Sequence, residues 1–420
     1  MKKIIICCLC LVMLLALCAC QSEQAKAVDA QIDAIGTVTL DSEAAISEAE
    51  AAFAALSEKD QKGVKKAQTL QAARETYQTL VWQEQAAAVN TAIDRIGTVT
   101  LQSEAAIKNA RAQYDAASSD VQPYVTKYDT LTAAEDEFAA LQAAEVDQQI
   151  AAIGTVTSGS DSAIRTARRA YDALSDEAKA HVARIDTLTA AEETYRDLRT
   201  EEVAVKIDAI GTVTLDSVLT VRQVRAAYND LPSDLAPYVR NTDVLEAAEA
   251  KLLQLQTEQK PALIAKSKID QDAFSGITLY YASTIPFEDE SQAWIYGIRN
   301  FILPYVGVID GEAYLFTLCH YTDSSWVFFE DVSFLIDGEQ AGTWSFDYFD
   351  VDRNTFYGGV SEAAHRDMSE ADIDLLLRIA ASDQTIVRFQ GDNDRADFTI
   401  SAEDKQAIRD TVNLYFALKG

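Results

Sequence analysis

Cysteine is almost absent from most of this chain. Five of the six cysteines lie within the first twenty residues, and beyond them only Cys319 remains. No intrachain disulfide can therefore stabilise the rest of the chain.

Basic residues are also scarce relative to acidic ones. Lys and Arg number 36 against 66 Asp and Glu, which gives a formal net charge of −30. Binding to nucleic acid or to anionic lipid head groups requires clustered Lys and Arg, so the composition argues against both kinds of partner. Beyond residue 20 the sequence also lacks a Gly-rich phosphate loop, a CxxC pair and an HExxH zinc motif. We therefore expect no cofactor and no metal.

The N-terminal segment carries the features of an export signal. Lys2 and Lys3 precede an apolar stretch over residues 4–17, which is too short to span a bilayer comfortably. The stretch ends in Leu17-Cys18-Ala19-Cys20, which resembles a bacterial lipobox. The resemblance implies a signal peptide over residues 1–19, a diacylglyceryl group on Cys20 and anchoring at the outer face of the cytoplasmic membrane. An ordinary signal peptide is the alternative, and residues 20–27 are interpreted as a polar tether.

A fourteen-residue phrase then occurs four times, beginning with "DAIGTVTLDSEAAI" at Asp33. Each copy has a glycine where a helix is expected to end, because glycine readily adopts positive φ. Each also has a serine six residues later, which can accept hydrogen bonds from the first free amides of the next helix. In two copies the preceding Asp41 or Asp216 is the alternative cap. The glycines are Gly36, Gly97, Gly154 and Gly211, and the serines are Ser42, Ser103, Ser160 and Ser217.

Apolar residues recur at equivalent positions of all four copies and at helical spacing, which predicts amphipathic helices with a shared core. Neither Gly nor Pro occurs between Thr187 and Ile210, so the last helix of one copy and the first of the next are predicted to be one continuous helix. The recurring positions include Ile46, Ile107, Ile164 and Val221; Val64, Val125, Val182 and Val239; and Leu70, Leu131, Leu188 and Leu245.

The phrase "IDAIGTVTLDSEAAI…AAFAAL", with "LTAAE" in later copies, resembles the three-helix repeats of Firmicutes surface proteins. The resemblance covers about residues 28–258 and implies an extended spacer on the cell surface rather than an enzyme. It predicts an all-α array of four three-helix repeats joined by shared helices, over residues 28–91, 92–148, 149–205 and 206–260. In the fourth copy Val218 and Leu219 replace acidic or small residues, as expected for a terminal copy that contacts another domain.

The composition changes after Pro261, where alanine becomes rarer and aromatic residues and glycine increase. β-Prone runs separated by Asp310-Gly311 and Asp337-Gly338 predict hairpins, and two amphipathic helices follow near the C-terminus. Residues 261–420 are therefore predicted to form an α+β domain with an antiparallel sheet. The β-prone runs cover residues 277–281, 305–309, 313–320, 325–336, 343–349, 385–390 and 397–400, and the helices begin near Ser369 and Ser401.

Candidate site residues in this domain are few. The aromatic residues Trp294, Tyr305, Trp326 and Trp344 are the candidates for binding a sugar or peptide, although such residues more often belong to a core. Asp350-x-Asp352-x-Asn354 resembles the start of a calcium loop, but the later ligands are missing and a surface turn fits better. Cys319 and His320 are adjacent, so on a strand they point to opposite faces and cannot form a nucleophile–base pair.

Three functions remain open from the sequence. The leading one is a lipid-anchored surface protein whose helical stalk presents the C-terminal domain to a protein or glycan of the envelope or the outside medium. The second is an envelope hydrolase that uses carboxylates such as Asp347, Asp350 or Glu362. The third is a purely structural scaffold.

Overall fold

A computed structural model describes residues 21–287 and 298–420, so Cys20 and Trp294 lie outside the described residues. The first part of this chain is helical, and none of the described helices is both long and apolar enough to cross a bilayer. The helices are α1 (Glu23–Ile35), α2 (Glu43–Ala54), α3 (Glu58–Gln61), α4 (Ala67–Asp94), α5 (Glu104–Ala116), α6 (Tyr128–Ala152), α7 (Asp161–Asp172), α8 (Asp176–His181), α9 (Ile185–Asp208), α10 (Val218–Asn229) and α11 (Thr242–Lys266).

The recurring glycines have the backbone conformation expected of them. Their φ values are 60°, 61°, 61° and 64° in chain order, which L-residues with a side chain rarely adopt. The role expected for the serines is wrong. In each copy the serine Oγ accepts a hydrogen bond from the backbone N–H of the threonine three residues before it, as Ser42 does from Thr39 at 2.9 Å. It therefore closes the turn that precedes the helix and does not cap the helix itself.

The apolar positions that recur in the sequence are core positions in every copy. Ile46, Leu131, Leu188 and Leu245 are completely buried, and the other members of the three recurring sets are at most 7 % exposed. The periodicity of the sequence therefore identified the buried face of the helices correctly.

Helix α4 contributes to two separate cores. Leu70 and Ala73 in its first half pack into a cluster with Ile32 and Ile46. Ala86, Val89 and Ile93 in its second half pack into a different cluster, which also contains Ile107 and Leu131. The helix runs without a break between the two halves, so it joins two cores rigidly.

The same ion pair recurs at equivalent positions of the four copies, with its polarity reversed in the first. Arg111–Glu135, Arg168–Glu192 and Arg225–Glu249 each link the helix after the glycine turn to the next long helix. At the corresponding positions of the first copy, Glu50 is paired with Arg74. In all four copies the arginine of the pair also lies over the ring of the tyrosine three residues later in the same helix.

The second part of the chain contains two antiparallel sheets in the described residues. A six-stranded sheet has the order β1-β2-β3-β4-β8-β7, and a four-stranded sheet has the order β10-β9-β5-β6. The strands are β1 (Lys268–Gln271), β2 (Thr278–Tyr281), β3 (Phe301–Ile309), β4 (Glu312–Asp323), β5 (Asp331–Ile336), β6 (Glu339–Ser345), β7 (Val351–Phe356), β8 (Gly359–Asp367), β9 (Thr385–Gln390) and β10 (Arg395–Thr399), and the helices are α12 (Glu370–Ala381) and α13 (Ala402–Lys419).

Both predicted hairpins are present. Asp310-Gly311 joins β3 to β4 and Asp337-Gly338 joins β5 to β6, with positive φ at all four residues. The surface turn expected around Asp352 is wrong, because β7 forms the edge of the six-stranded sheet there and pairs with β8. Its polar sequence is tolerated because an edge strand has only one neighbour and a large solvent-exposed surface.

The chain divides into two compact units, and the second, Glu193–Gly420, contains the fourth sequence copy together with both sheets. Within this unit Val218 belongs to the same continuous core as the strands. Arg222 of α10 pairs with Asp374 of α12 at 2.7 Å and lies over the ring of Phe416 in α13. Helix α11 continues through Pro261, and its buried Gln256 donates a hydrogen bond to Asn413.

Candidate binding site

The structure separates the aromatic residues singled out in the sequence. Tyr305 is 8 % exposed and Trp344 is 2 % exposed, and both belong to the core. The Tyr305 hydroxyl lies 2.9 Å from His365 Nδ1, and the Trp344 indole N–H donates to the Asp372 carboxylate. Of the candidates within the described residues, only Trp326 belongs to a cluster with exposed rings.

Trp326 is part of an exposed aromatic cluster at the end of the sheets where β5 begins. Its ring stacks on that of Phe328 with centroids 5.4 Å apart. The rings of Tyr348 and Phe349 lie edge to face at 5.5 Å. Phe328, Tyr348 and Phe349 are 44 %, 47 % and 92 % exposed. Arg353 joins the two pairs, because its guanidinium lies over the Phe328 ring at 5.7 Å and over the Tyr348 ring at 4.1 Å. We call these four rings with Arg353 the aromatic site.

A completely buried carboxylate holds the loop that carries two of these rings. Glu362 of β8 accepts hydrogen bonds from the backbone N–H groups of Val327, Phe328 and Phe329, at 2.7, 2.8 and 3.0 Å. The Arg353 side chain contacts the same carboxylate at 3.4 Å and compensates its charge. Because a charge is expensive to bury, this arrangement fixes the loop through a group that must remain fully paired.

The backbone of the loop is strained at Phe328, the residue that carries the exposed ring. Phe328 has a φ of +51°, a region that bulky side chains rarely adopt. The turn between β9 and β10 supports it closely, since a Cβ added to Gly391 would lie 2.1 Å from the Val327 carbonyl oxygen. Strain of this kind persists only where surrounding contacts enforce it, and it is concentrated at functional sites.

Tyr321 fixes the start of the loop from the core. Its hydroxyl donates to the carbonyl oxygen of Ser325 at 2.8 Å, and its ring packs against Phe389 of the other sheet. Burial raises the pKa of Tyr321 to about 12, so the hydroxyl remains a donor at neutral pH. Both ends of the segment from Ser325 to Phe329 are thus held by buried groups.

The reactive residues considered in the sequence do not assemble into a catalytic group. Burial raises the pKa of the Cys319 thiol well above its usual range, so it is not a thiolate at neutral pH. Asp347 and Asp350 are exposed, whereas Glu362 is buried and engaged by the loop. Within residues 21–287 and 298–420, no three His, Cys, Asp or Glu side chains are arranged to hold a metal ion.

Two larger grooves arise from packing of the helical copies. One has a volume of about 460 Å³ and lies between the fourth copy and helices α12 and α13; the other, of about 500 Å³, lies between the second copy and the helices after it. Equivalent positions of the second and fourth copies line the two grooves. We therefore interpret each groove as a space left where a copy packs against the helices that follow it. The pairs are Glu104/Val218, Ile107/Val221, Lys108/Arg222, Glu135/Glu249, Phe138/Leu252, Ala139/Leu253 and Gln142/Gln256.

Sequence reasoning missed Phe328, Tyr348 and Phe349. The run over residues 325–336 was interpreted as one strand, although twelve residues is long for a strand. Only Asp331–Ile336 is a strand, and the six residues before it form the loop. The signal that could have located the site is the pair of adjacent aromatic residues between the aspartates at 347 and 350.

Comparison of the chain with protein-family models, with curated proteins and with solved structures finds no match.

Proposed function

We propose that this chain is a lipid-anchored protein of the bacterial cell surface that binds an envelope or extracellular ligand through its C-terminal domain. Cys20 carries the lipid, at the outer face of the cytoplasmic membrane. The helical part is a stalk of four three-helix repeats joined by shared helices. The observation that carries the binding role is the aromatic site, in which the buried Glu362 holds the loop of Trp326 and Phe328 and Phe328 has a strained backbone.

Three observations support the repeat architecture of the stalk. The recurring apolar positions are buried in all four copies. The ion pair between the second and third helix of a copy occurs four times, once with reversed polarity. Helix α4 belongs to two cores. Repeats of this kind stabilise one another through neighbouring interfaces, which suits a spacer.

The aromatic site also bears on the two alternative functions. Glu362 is unsuited to hydrolysis in this geometry, because its carboxylate is completely buried and holds the loop. A pure scaffold has no need of exposed rings held by a strained loop. Binding therefore accounts for more of the described structure than either alternative.

Anchoring is tested by Cys20→Ala. We expect the variant to move from the membrane fraction to the soluble or secreted fraction, because no lipid can be attached and the described helices include no membrane span. Fractionation of cells and detection of the chain measure this. Cys319→Ala is the matched control and should remain with the membrane. A Cys20→Ala chain that stays in the membrane fraction would contradict the anchor.

Ligand binding is tested with the soluble Cys20→Ala chain and isolated cell envelopes. Phe349→Ala should weaken co-sedimentation about threefold to tenfold, since an exposed aromatic contact contributes about 1 kcal/mol. Phe274→Ala removes an equally exposed ring from the connection between β1 and β2 and should leave co-sedimentation with the envelopes unchanged. Equal effects of the two substitutions, or no binding by the parent chain, would contradict the proposal.

A further inference from the structure

Carboxylates surround the aromatic site. Beside the Phe328 and Tyr348 rings lies a cavity of about 280 Å³, and its wall includes Glu330, Asp392 and Asp394. Asp392 and Asp394 are exposed on the turn between β9 and β10, and Glu330 is half-buried at the start of β5. The site therefore combines aromatic faces with negative charge.

These charges are not compensated by the protein. In the part of the chain that the structure describes, none of the three carboxylates forms an ion pair. The cation of the site, Arg353, is already engaged by Glu362. The net charge of −30 adds a negative field around the site, and such a field attracts cations and repels anionic polymers.

The rings themselves already accept a cation. Arg353 places its guanidinium 4.1 Å from the centroid of the Tyr348 ring, a distance at which cation–π attraction is strong. About half of Tyr348 and nearly all of Phe349 remain open to solvent. A second cation can therefore approach the exposed faces of these rings from the solvent, and Glu330, Asp392 and Asp394 can balance its charge.

We propose that the aromatic site binds a lysine- or arginine-bearing segment of a polypeptide. This inference rests on the proposed binding function and names the ligand class of the same site. Ammonium or guanidinium groups pair with Asp392, Asp394 and Glu330, and the alkyl stems of the ligand lie along the rings. A neutral glycan uses the rings but leaves the three charges without partners.

The test uses the soluble Cys20→Ala chain and a short lysine-rich peptide, with calorimetry as the readout. The same peptide with every lysine acetylated is the ligand control, because acetylation removes the positive charges and leaves the peptide sequence unchanged. We expect binding of the charged peptide that weakens as salt is added, and at least tenfold weaker binding of the acetylated one. The Asp392→Asn/Asp394→Asn variant should weaken binding of the charged peptide about tenfold.

The control variant is Asp310→Asn/Glu339→Gln, which removes two exposed charges at hairpin turns of the opposite end of the sheets. It should bind the charged peptide like the parent chain. Equal weakening by both double variants, or equal binding of the two peptides, overturns the inference. Binding of a neutral oligosaccharide in a Phe349-dependent and salt-independent manner also overturns it but leaves the proposed function standing. Absence of envelope binding by the parent chain instead removes the proposed function.

Discussion

Glu362→Ala should cost about 3–5 kcal/mol of stability, the usual loss when one partner of a buried ion pair is removed. The substitution leaves three backbone N–H groups without their acceptor and the Arg353 guanidinium without its carboxylate partner. The loop from Ser325 to Phe329 then keeps the Tyr321 contact at its start but loses the acceptor that holds the backbone on both sides of the strained Phe328. Denaturant unfolding measures the loss, and it should be accompanied by greater solvent exposure of Trp326 in fluorescence.

Two further variants distinguish the loss of the Glu362 carboxylate from the general effect of substituting a buried residue of β8. Ser361→Ala changes the neighbouring residue, which is equally buried, but its hydroxyl has no hydrogen-bond partner in the described structure. Its removal should be nearly neutral, because no bond is lost. The loss of stability in Glu362→Gln should lie between those of Glu362→Ala and Ser361→Ala. One amide oxygen remains an acceptor, but the new amide N–H groups face other donors. If Glu362→Ala unfolds at the same denaturant concentration as Ser361→Ala, the carboxylate does not hold the loop.

Glu84→Pro should destabilise the helical part by about 3 kcal/mol or more, because proline removes a hydrogen bond and clashes within a helix. Glu84 is exposed in the middle of α4, between the half that packs with Leu70 and the half that packs with Val89. A kink there changes the direction in which both halves meet their cores. Hydrogen exchange should therefore accelerate around Leu70 and around Val89 together.

Glu84→Ala is the control for this substitution. It removes the same exposed side chain but favours the helix, so it should leave stability within about 0.5 kcal/mol. Faster exchange confined to the turn around residue 84, with both cores unchanged, would show that the two halves of α4 are held independently.

Helical periodicity could be recognised in the sequence because each copy repeats it. Ile46, Ile107 and Ile164 are buried as predicted, and four glycines occupy backbone positions that only they adopt readily. The serines were misassigned for a physical reason. A serine Oγ near a helix start can accept from either side, and here it accepts from the N–H three residues earlier. The sequence alone does not indicate which of these N–H groups donates to the serine.

The C-terminal domain was predictable only where local signals are strong. Asp310-Gly311 and Asp337-Gly338 fix their hairpins through positive φ, so the adjoining strands could be located. Strand β7 carries no apolar alternation, because it lies at an edge, and it was missed. The aromatic site was missed for a different reason. It depends on Glu362 reaching a loop more than thirty residues earlier in the chain, and no local pattern records such a contact.

The reversed ion pair has a consequence for how this chain reaches its folded state. Similar copies in one chain can exchange helices during folding, which is a characteristic error of repeat proteins. If α2 paired with α6 instead of α4, Glu50 would face Glu135. The converse error would place Arg111 against Arg74. Like charges in a partly buried contact oppose both mispairings, so the reversal disfavours an exchange of helices between the first two copies.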